Sequence, residues 1–221
     1  MEIFRTAIDI FVHLDKNLAL VISQFGPLTY VVLFLIIFLE TGIVITPFLP
    51  GDSLLFAAGT LSASGSLNIF FLYICLCAAA ILGDTVNYWI GYIIGPRIFE
   101  MRRIPLIKKE NLTKTEKFYE KYGGKTIILA RFIPIIRTFA PFVAGIGKMS
   151  YGKFISFNII GGLIWVTLFT FGGYFFGNLS IIKNNFHLAI FGIILVSILP
   201  IIIEYIKHLK DKRKTVEISL D

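Results

Sequence analysis

Long apolar stretches alternate with short broken ones along this chain. Residues 67–95 and 154–177 are each apolar for long enough to cross a bilayer as one helix, and 187–206 predicts a third crossing. Residues 1–25 behave differently, with Ile3, Phe4, Ile8, Phe11 and Val12 alternating with Glu2, Arg5, Asp9, Asp15 and Lys16. That pattern predicts an amphipathic helix lying at the membrane interface over 1–26, more apolar towards its end. The arms 28–63 and 126–148 are apolar but interrupted by Pro47, Pro50 and Gly51 in the first and by Pro134 and Pro141 in the second. Proline removes a backbone donor and breaks a helix, so these arms are predicted to be re-entrant hairpins that turn at those residues and leave by the face they entered. Between the halves, 96–125 is polar. Its Thr113-Lys-Thr-Glu116 capping box and the Gly123-Gly124 pair predict a short surface helix over 113–122.

The two halves repeat. Phe56-Ala-Ala-Gly59 matches Phe142-Val-Ala-Gly145, and both 88–95 and 170–177 end in Gly-Tyr-x-x-Gly. Each half runs from an apolar arm through a proline-broken turn and an Ala-Gly pair into a long helix, at similar offsets. The predicted fold is therefore an all-α polytopic membrane protein. Its first repeat is 27–95 (hairpin 28–63, crossing helix 67–95) and its second is 126–178 (hairpin 126–148, crossing helix 154–177). The helix 187–206 and a basic tail, 207–221, follow. With the 96–125 loop on the cytoplasmic side, the hairpins enter from opposite faces. That is the inverted repeat of many secondary transporters, with the C-terminus cytoplasmic.

Composition agrees with a membrane location: 56% of the 221 residues are hydrophobic and 16% charged, less charge than the surface of a soluble domain of this size carries. The net charge of +7 fits positive-inside loops, since 97–125 alone carries nine Lys or Arg against four Glu; nucleic acid is not an expected partner. Cys75 and Cys77 have no neighbouring Cys or His and are expected to be small packing residues rather than a metal site. The segment Met1-Glu-Ile-Phe-Arg-Thr6 lacks a basic start followed by a short apolar core, so no cleaved signal is expected.

Charge changes the picture most. From Asn17 to Pro96 the charged residues are Glu40, Asp52 and Asp84, all acidic; from Thr126 to Ile203 they are Arg131, Arg137, Lys148, Lys153 and Lys183, all basic. A lone charge at the bilayer centre costs a few kcal/mol even on the most lenient scales, about 2.5–3.5 kcal/mol, so neither half can bury its charges alone. Hairpins meeting tip to tip would gather Glu40, Asp52, Arg131 and Arg137 around one wet cavity. A neutral staple between repeats is one reading. Buried ion pairs are weak glue, however, and the other reading is a site for a charged substrate. Arginine keeps its charge and offers a planar fork for phosphate oxygens, so Arg131 and Arg137 are the candidate headgroup ligands. Glu40, among Ile37, Phe38 and Leu39, is a candidate proton carrier, and Asp52, beside Gly51, is its more wetted partner. Asp84 is either a third cavity acid or a hydrogen-bonded packing residue.

Three strings, Glu40-Thr-Gly-x-x-x-x-Pro-Phe-Leu-Pro-Gly-Asp52-Ser-Leu-Leu-Phe-Ala-Ala-Gly59, Gly83-Asp-x-x-x-Tyr-Trp-x-Gly-x-x-x-Gly95 and Arg131-Phe-Ile-Pro-x-x-Arg137-Thr-Phe-x-Pro-x-x-Ala-Gly145, resemble the DedA family of bacterial membrane proteins. These are relatives of proteins with a SNARE-associated Golgi-type, or VTT, domain. The resemblance covers about 28–178. It implies two opposed re-entrant helices, the bacterial cytoplasmic membrane, and lipid transport: recycling of undecaprenyl phosphate, phosphatidylethanolamine movement, and proton-dependent envelope homeostasis and drug resistance. It also implies that the positions of Glu40, Asp52, Arg131 and Arg137 are functionally required. Ile135-Ile136 departs from a glycine common after the proline, which leaves substrate choice open.

The expected function is a flippase or scramblase for a lipid phosphate, undecaprenyl phosphate first, coupled to protons and needing no cofactor. Phosphatidylethanolamine transport and a proton-dependent small-cation or drug antiporter are alternatives, although the arginines disfavour a cation. A lipid phosphatase is least supported, because His13, His187 and His208 all lie outside the motifs, and no enzyme activity is expected. Expected partners are membrane lipids and protons; a homo-oligomer is left open.

Overall fold

The computed structural model describes residues 14–43, 51–98, 119–120, 122–180, 182 and 192, and among them every regular element is a helix. The interfacial helix as far as residue 13, Pro47 and Pro50, most of the 113–122 helix, the 187–206 crossing apart from residue 192, and the tail lie outside the described residues.

Helix α1 (Leu14–Phe25) meets α2 (Thr29–Gly42) through a single 3-10 turn, Gly26–Leu28. Gly26 takes φ +51°, and Pro27 sits in the first turn, where its missing N–H has no helical partner to lose. The chain therefore continues in nearly helical form past the proline. Leu18–Gly42 is 25 residues long and apolar enough to cross a membrane, a length the sequence pattern divides at Pro27 between an interfacial helix and a hairpin arm. Only Glu40 is charged within it.

Next comes α3 (Gly51–Ala63), 13 residues or about 20 Å long, well short of a ~30 Å hydrocarbon core. A tight turn with Gly65 at φ +83° leads to Asn68. Its Oδ1 accepts from the amides of Phe70 (3.0 Å) and Phe71 (3.3 Å) and so caps α4 (Ile69–Ile98). The second half begins with a 3-10 turn, Gly123–Lys125, and α5 (Thr126–Ala130). It then breaks at Ile133, whose backbone is extended (φ −123°, ψ 104°), as the residue before a proline prefers. Pro134 opens α6 (Pro134–Ile146), again 13 residues, and α7 (Tyr151–Phe176) follows. Ile69–Gly95 and Tyr151–Phe176 complete the set of three described helices long and apolar enough to span.

One turn residue needs correcting. Pro141 lies inside α6 and marks no turn; the break falls earlier, at Phe132–Ile133, before Pro134. An interior proline costs one hydrogen bond to the carbonyl four residues back, and the surrounding packing holds the helix together across it. Among those contacts is the Tyr119 hydroxyl, which donates to the Ala140 carbonyl at 2.9 Å.

Each short helix packs on the long helix of the other half: α3 on α7, and α6 on α4. Glycines bring the backbones together. A Cβ on Gly59 would lie 2.0 Å from the Thr170 carbonyl oxygen, and one on Gly173 2.0 Å from that of Phe56. Across the other pair, a Cβ on Gly145 would lie 2.1 Å from the Tyr88 carbonyl oxygen and one on Gly91 2.1 Å from that of Phe142. The Phe-x-x-Gly string of each half thus meets the Gly-Tyr-x-x-Gly string of the other with matching contacts. Outward, the long helices present Phe70, Phe71, Ile93, Leu168 and Phe175, all exposed, where a water-soluble protein would carry charge.

Candidate functional site

The N-terminus of α3 lies against the end of α2. Glu40 Oε1 accepts from the Gly51 amide at 3.2 Å, so a carboxylate from one helix meets the positive end of the next. A Cβ on residue 51 would lie 2.0 Å from Glu40 Oε2, so any other residue there would have to displace the Glu40 carboxylate. Asp52 follows in the first turn of α3. Arg137, in the first turn of α6, reaches both acids: Nη2 donates to Glu40 Oε1, and Nη1 to Asp52 Oδ1 at 2.9 Å. Glu40 is 1% exposed and Arg137 5%, while the Asp52 side chain is 13% exposed, so this ionic group joining the two halves has Asp52 as its more accessible member.

Arg131 belongs to a second group. Its Nη2 donates to Asp84 Oδ2 at 2.5 Å and to Asn158 Oδ1 at 2.6 Å. Asn158 is oriented by its own amide, which donates to the Ile81 carbonyl at 3.0 Å. Opposite, Gly161 and Gly162 form a notch against the guanidinium: a Cβ on Gly161 would sit 3.2 Å from Arg131 Nε. Asp84, Arg131 and Asn158 are all buried. So the four residues expected in one cluster are divided: Glu40, Asp52 and Arg137 meet directly, whereas Arg131 takes Asp84. Asp84 is an ionic partner. The hydrogen-bonded packing role is filled one turn later by Asn87, whose side-chain amide donates to the carbonyls of Thr41 (3.1 Å) and Thr138 (2.8 Å).

Sequence reasoning passed over two members of the site, Asn158 and Trp165. The Trp165 indole N–H donates to Asp52 Oδ1 at 2.8 Å, and its ring lies 5.2 Å from the Arg137 guanidinium carbon and 5.8 Å from that of Arg131. A signal existed: Asn158, Gly161, Gly162 and Trp165 fall at i, i+3, i+4 and i+7, one face of α7 carrying polar or very small groups in an otherwise oily helix. Cys75 and Cys77 are free thiols in the packing; Cys77 is buried, and Cys75 donates to the Tyr30 carbonyl at 3.2 Å. Of the expected turn residues, Gly51 and Pro134 stand at the starts of α3 and α6.

Asn158→Leu would strip Arg131 of one of its acceptors. We expect it to lower stability by about 1–3 kcal/mol, the usual consequence of leaving a buried donor short of a partner, read as a lower midpoint of thermal unfolding in detergent.

Arg131 and Arg137 also keep buried nitrogens with no hydrogen-bond partner among the described residues: Nε and Nη1 of the first, Nε of the second. Buried donors of this kind in native proteins call for a ligand, a water or strain to explain them. The group as a whole gathers three carboxylates and two guanidiniums in an apolar setting, near where the short helices of both halves begin.

Comparison with known proteins places this arrangement. The VTT domain model matches residues 49–175, which include α3, α4, α6, most of α7 and every charged site residue except Glu40. Protein DedA of Escherichia coli (strain K12) is 51% identical over 210 residues, 94% of this chain and 96% of that protein. An uncharacterized membrane protein of Mycobacterium leprae (strain TN) is 44% identical over 168 residues, 76% of this chain and 75% of its own. Inner membrane protein YqjA of Escherichia coli (strain K12) is 35% identical over 155 residues, 70% of each chain. No solved structure matches. The family model covers more than half of the chain and the first of these relatives nearly all of it, and the chain belongs to the DedA family of VTT-domain membrane proteins.

Proposed function

We propose that this protein carries a lipid phosphate, undecaprenyl phosphate first, across the cytoplasmic membrane, and that it acts as a transporter and not as an enzyme. One observation carries the reading: two buried guanidiniums lie against one indole ring among membrane-spanning helices, and both retain nitrogens without a partner among the described residues. A polyprenyl phosphate has a small anionic head for the arginines and an apolar tail that stays in lipid. Arginine's fork suits phosphate oxygens better than a lysine point charge does.

Charge balance supplies the coupling. The described buried ion pairs contain three carboxylates, Glu40, Asp52 and Asp84, and two guanidiniums, Arg131 and Arg137. Fully ionised, they are one positive charge short, so a single proton completes the balance. Glu40 shares the Arg137 guanidinium with Asp52, whereas Asp84 has Arg131 to itself, so Glu40 is the acid we assign to it. A proton on Glu40 loosens its hold on Arg137 and frees that fork for the incoming phosphate. Release of the proton restores the ion pair and expels the anion.

The transport plan is an inverted repeat of two re-entrant hairpins built around α3 and α6, with the C-terminus cytoplasmic. The matching glycine crossings of α3 on α7 and α6 on α4 support it, as does the length of α3 and α6, too short to cross alone. The basic run 97–125 supports the orientation. Lipids and protons are the partners in this scheme, with no role for nucleic acid.

The test is reconstitution into vesicles with labelled undecaprenyl phosphate and labelled phosphatidylethanolamine side by side, with and without a pH gradient. The wild-type chain is expected to move undecaprenyl phosphate faster, and faster still with the gradient. Arg137→Lys keeps the charge and loses the fork, and its rate is expected to fall by about tenfold to a hundredfold. An Arg137→Lys protein that transports like the wild type would remove fork recognition of phosphate. Preference for phosphatidylethanolamine would move the substrate to a zwitterionic phospholipid.

A further inference from the structure

The residue that touches both ionic groups is itself neutral. Trp165 is fully buried on the α7 face that also carries Asn158, Gly161 and Gly162. Its N–H ends on Asp52 Oδ1, the same oxygen that receives Arg137 Nη1. Its ring lies within cation–π range of both guanidinium carbons, 5.2 and 5.8 Å from its centroid. Asn158, two turns earlier on that face, holds Arg131 from the other side. Helix α7 therefore contacts every member of the site except Glu40 and Asp84 through two side chains and a glycine notch.

We propose that Trp165 is a positioning residue of the transport site, with separable jobs for its two parts. The indole N–H fixes Asp52 on Arg137, so that Glu40 is the acid that lets go when the anion enters. The ring keeps the two guanidiniums apart and oriented, within reach of one phosphate but not collapsed onto the same carboxylate. This rests on the lipid-phosphate reading above for its kinetic part, whereas the Trp165–Asp52 contact can be read without any substrate.

The contact is tested by fluorescence. The chain has two tryptophans, and Trp89 is half-exposed and outside the site, its ring against Tyr88, Tyr92 and Tyr151, which a phenylalanine ring can still meet. In a full-length Trp89→Phe protein, emission reports Trp165 alone. Adding Asp52→Asn is expected to shift the Trp165 emission maximum with no lipid substrate present, because the indole loses its charged acceptor. An unmoved maximum would overturn the proposal.

The kinetic arm uses vesicles of phosphatidylethanolamine and phosphatidylglycerol containing graded undecaprenyl phosphate. Trp165→Phe keeps a ring and loses the donor. Its maximal rate is expected to fall by about tenfold, the loss of one hydrogen bond to a charged group, with the half-saturating lipid fraction unchanged. Trp165→Leu loses the ring as well, and its half-saturating fraction is expected to rise. A merely structural tryptophan would give less active protein with both parameters of the surviving fraction unchanged. That result, or a Trp165→Phe protein equal to wild type, overturns the proposal. If the wild type moves neither undecaprenyl phosphate nor phosphatidylethanolamine, the transport reading falls, and the Trp165–Asp52 contact is then judged on the Asp52→Asn emission shift alone.

Discussion

Arg137→Leu is expected to abolish transport and to destabilise the protein by about 3–5 kcal/mol, the range found when one member of a buried ion pair is removed. The geometry gives the reason. Arg137 is the shared cation of Glu40 and Asp52, so its loss leaves two carboxylates side by side at the N-terminus of α3. The Gly51 amide and the Trp165 indole N–H still donate to them, but neither carries charge. The measurement is the midpoint of thermal unfolding in detergent beside the rate of lipid movement in vesicles.

A companion variant separates glue from function. The triple replacement Glu40→Gln, Asp52→Asn, Arg137→Met removes all three charges at once. Replacing a complete buried ionic group by neutral residues is often neutral or stabilising by about 1–4 kcal/mol, so most of the lost stability should return. Transport should not. If the neutral triple moves lipid at the wild-type rate, the charges are a staple between repeats and the proposed function is wrong. If it regains neither stability nor activity, the site depends on these charges for folding in a way that pairwise contacts do not explain.

Much of this site was legible because charge is so costly in an apolar chain. Glu40, Asp52, Asp84, Arg131 and Arg137 stand out from the sequence simply by being ionisable there, and the opposite signs of the two halves demand that they meet. Who meets whom was not legible. Pairing depends on the exchange of short helices, α3 onto α7 and α6 onto α4, and that exchange is decided by backbone approach at glycines, which hydropathy does not register. Asn158 and Trp165 were missed for a related reason: the face they share with Gly161 and Gly162 marks a distinct strip on α7, but spacing alone does not say which charged residues that strip meets. Pro141 misled because proline's propensity to break helices is a local rule, and tertiary contacts carried α6 through it. Leu18–Gly42 was divided at Pro27 for the same reason; a glycine with positive φ and a single 3-10 turn absorb the proline without ending the run.

The second large effect is expected at the crossings. Gly173→Ala places a methyl group 2.0 Å from the Phe56 carbonyl oxygen, and Gly91→Ala places one 2.1 Å from that of Phe142. In both cases the obstacle is backbone, which cannot rotate aside, so α3 must lift off α7, or α6 off α4, by more than an ångström. Overpacking of this kind costs typically about 1–3 kcal/mol and sometimes more. Here it also moves Asp52 away from Trp165 in the first case and Arg137 away from the α4 side of the site in the second. Both variants should therefore lose stability by similar amounts and lose most of their transport. Gly172→Ala is the control, since its Cβ would meet only the Phe56 ring at 3.9 Å, an ordinary contact, and alanine is the better helix former by about 0.8–1.0 kcal/mol. It should fold and transport at least as well as the wild type. Unequal damage from Gly91→Ala and Gly173→Ala would mean that the two crossings, though alike in their distances, do not bear equivalent loads, and the reading of α3 and α6 as mirror-related partners would lose its main physical support.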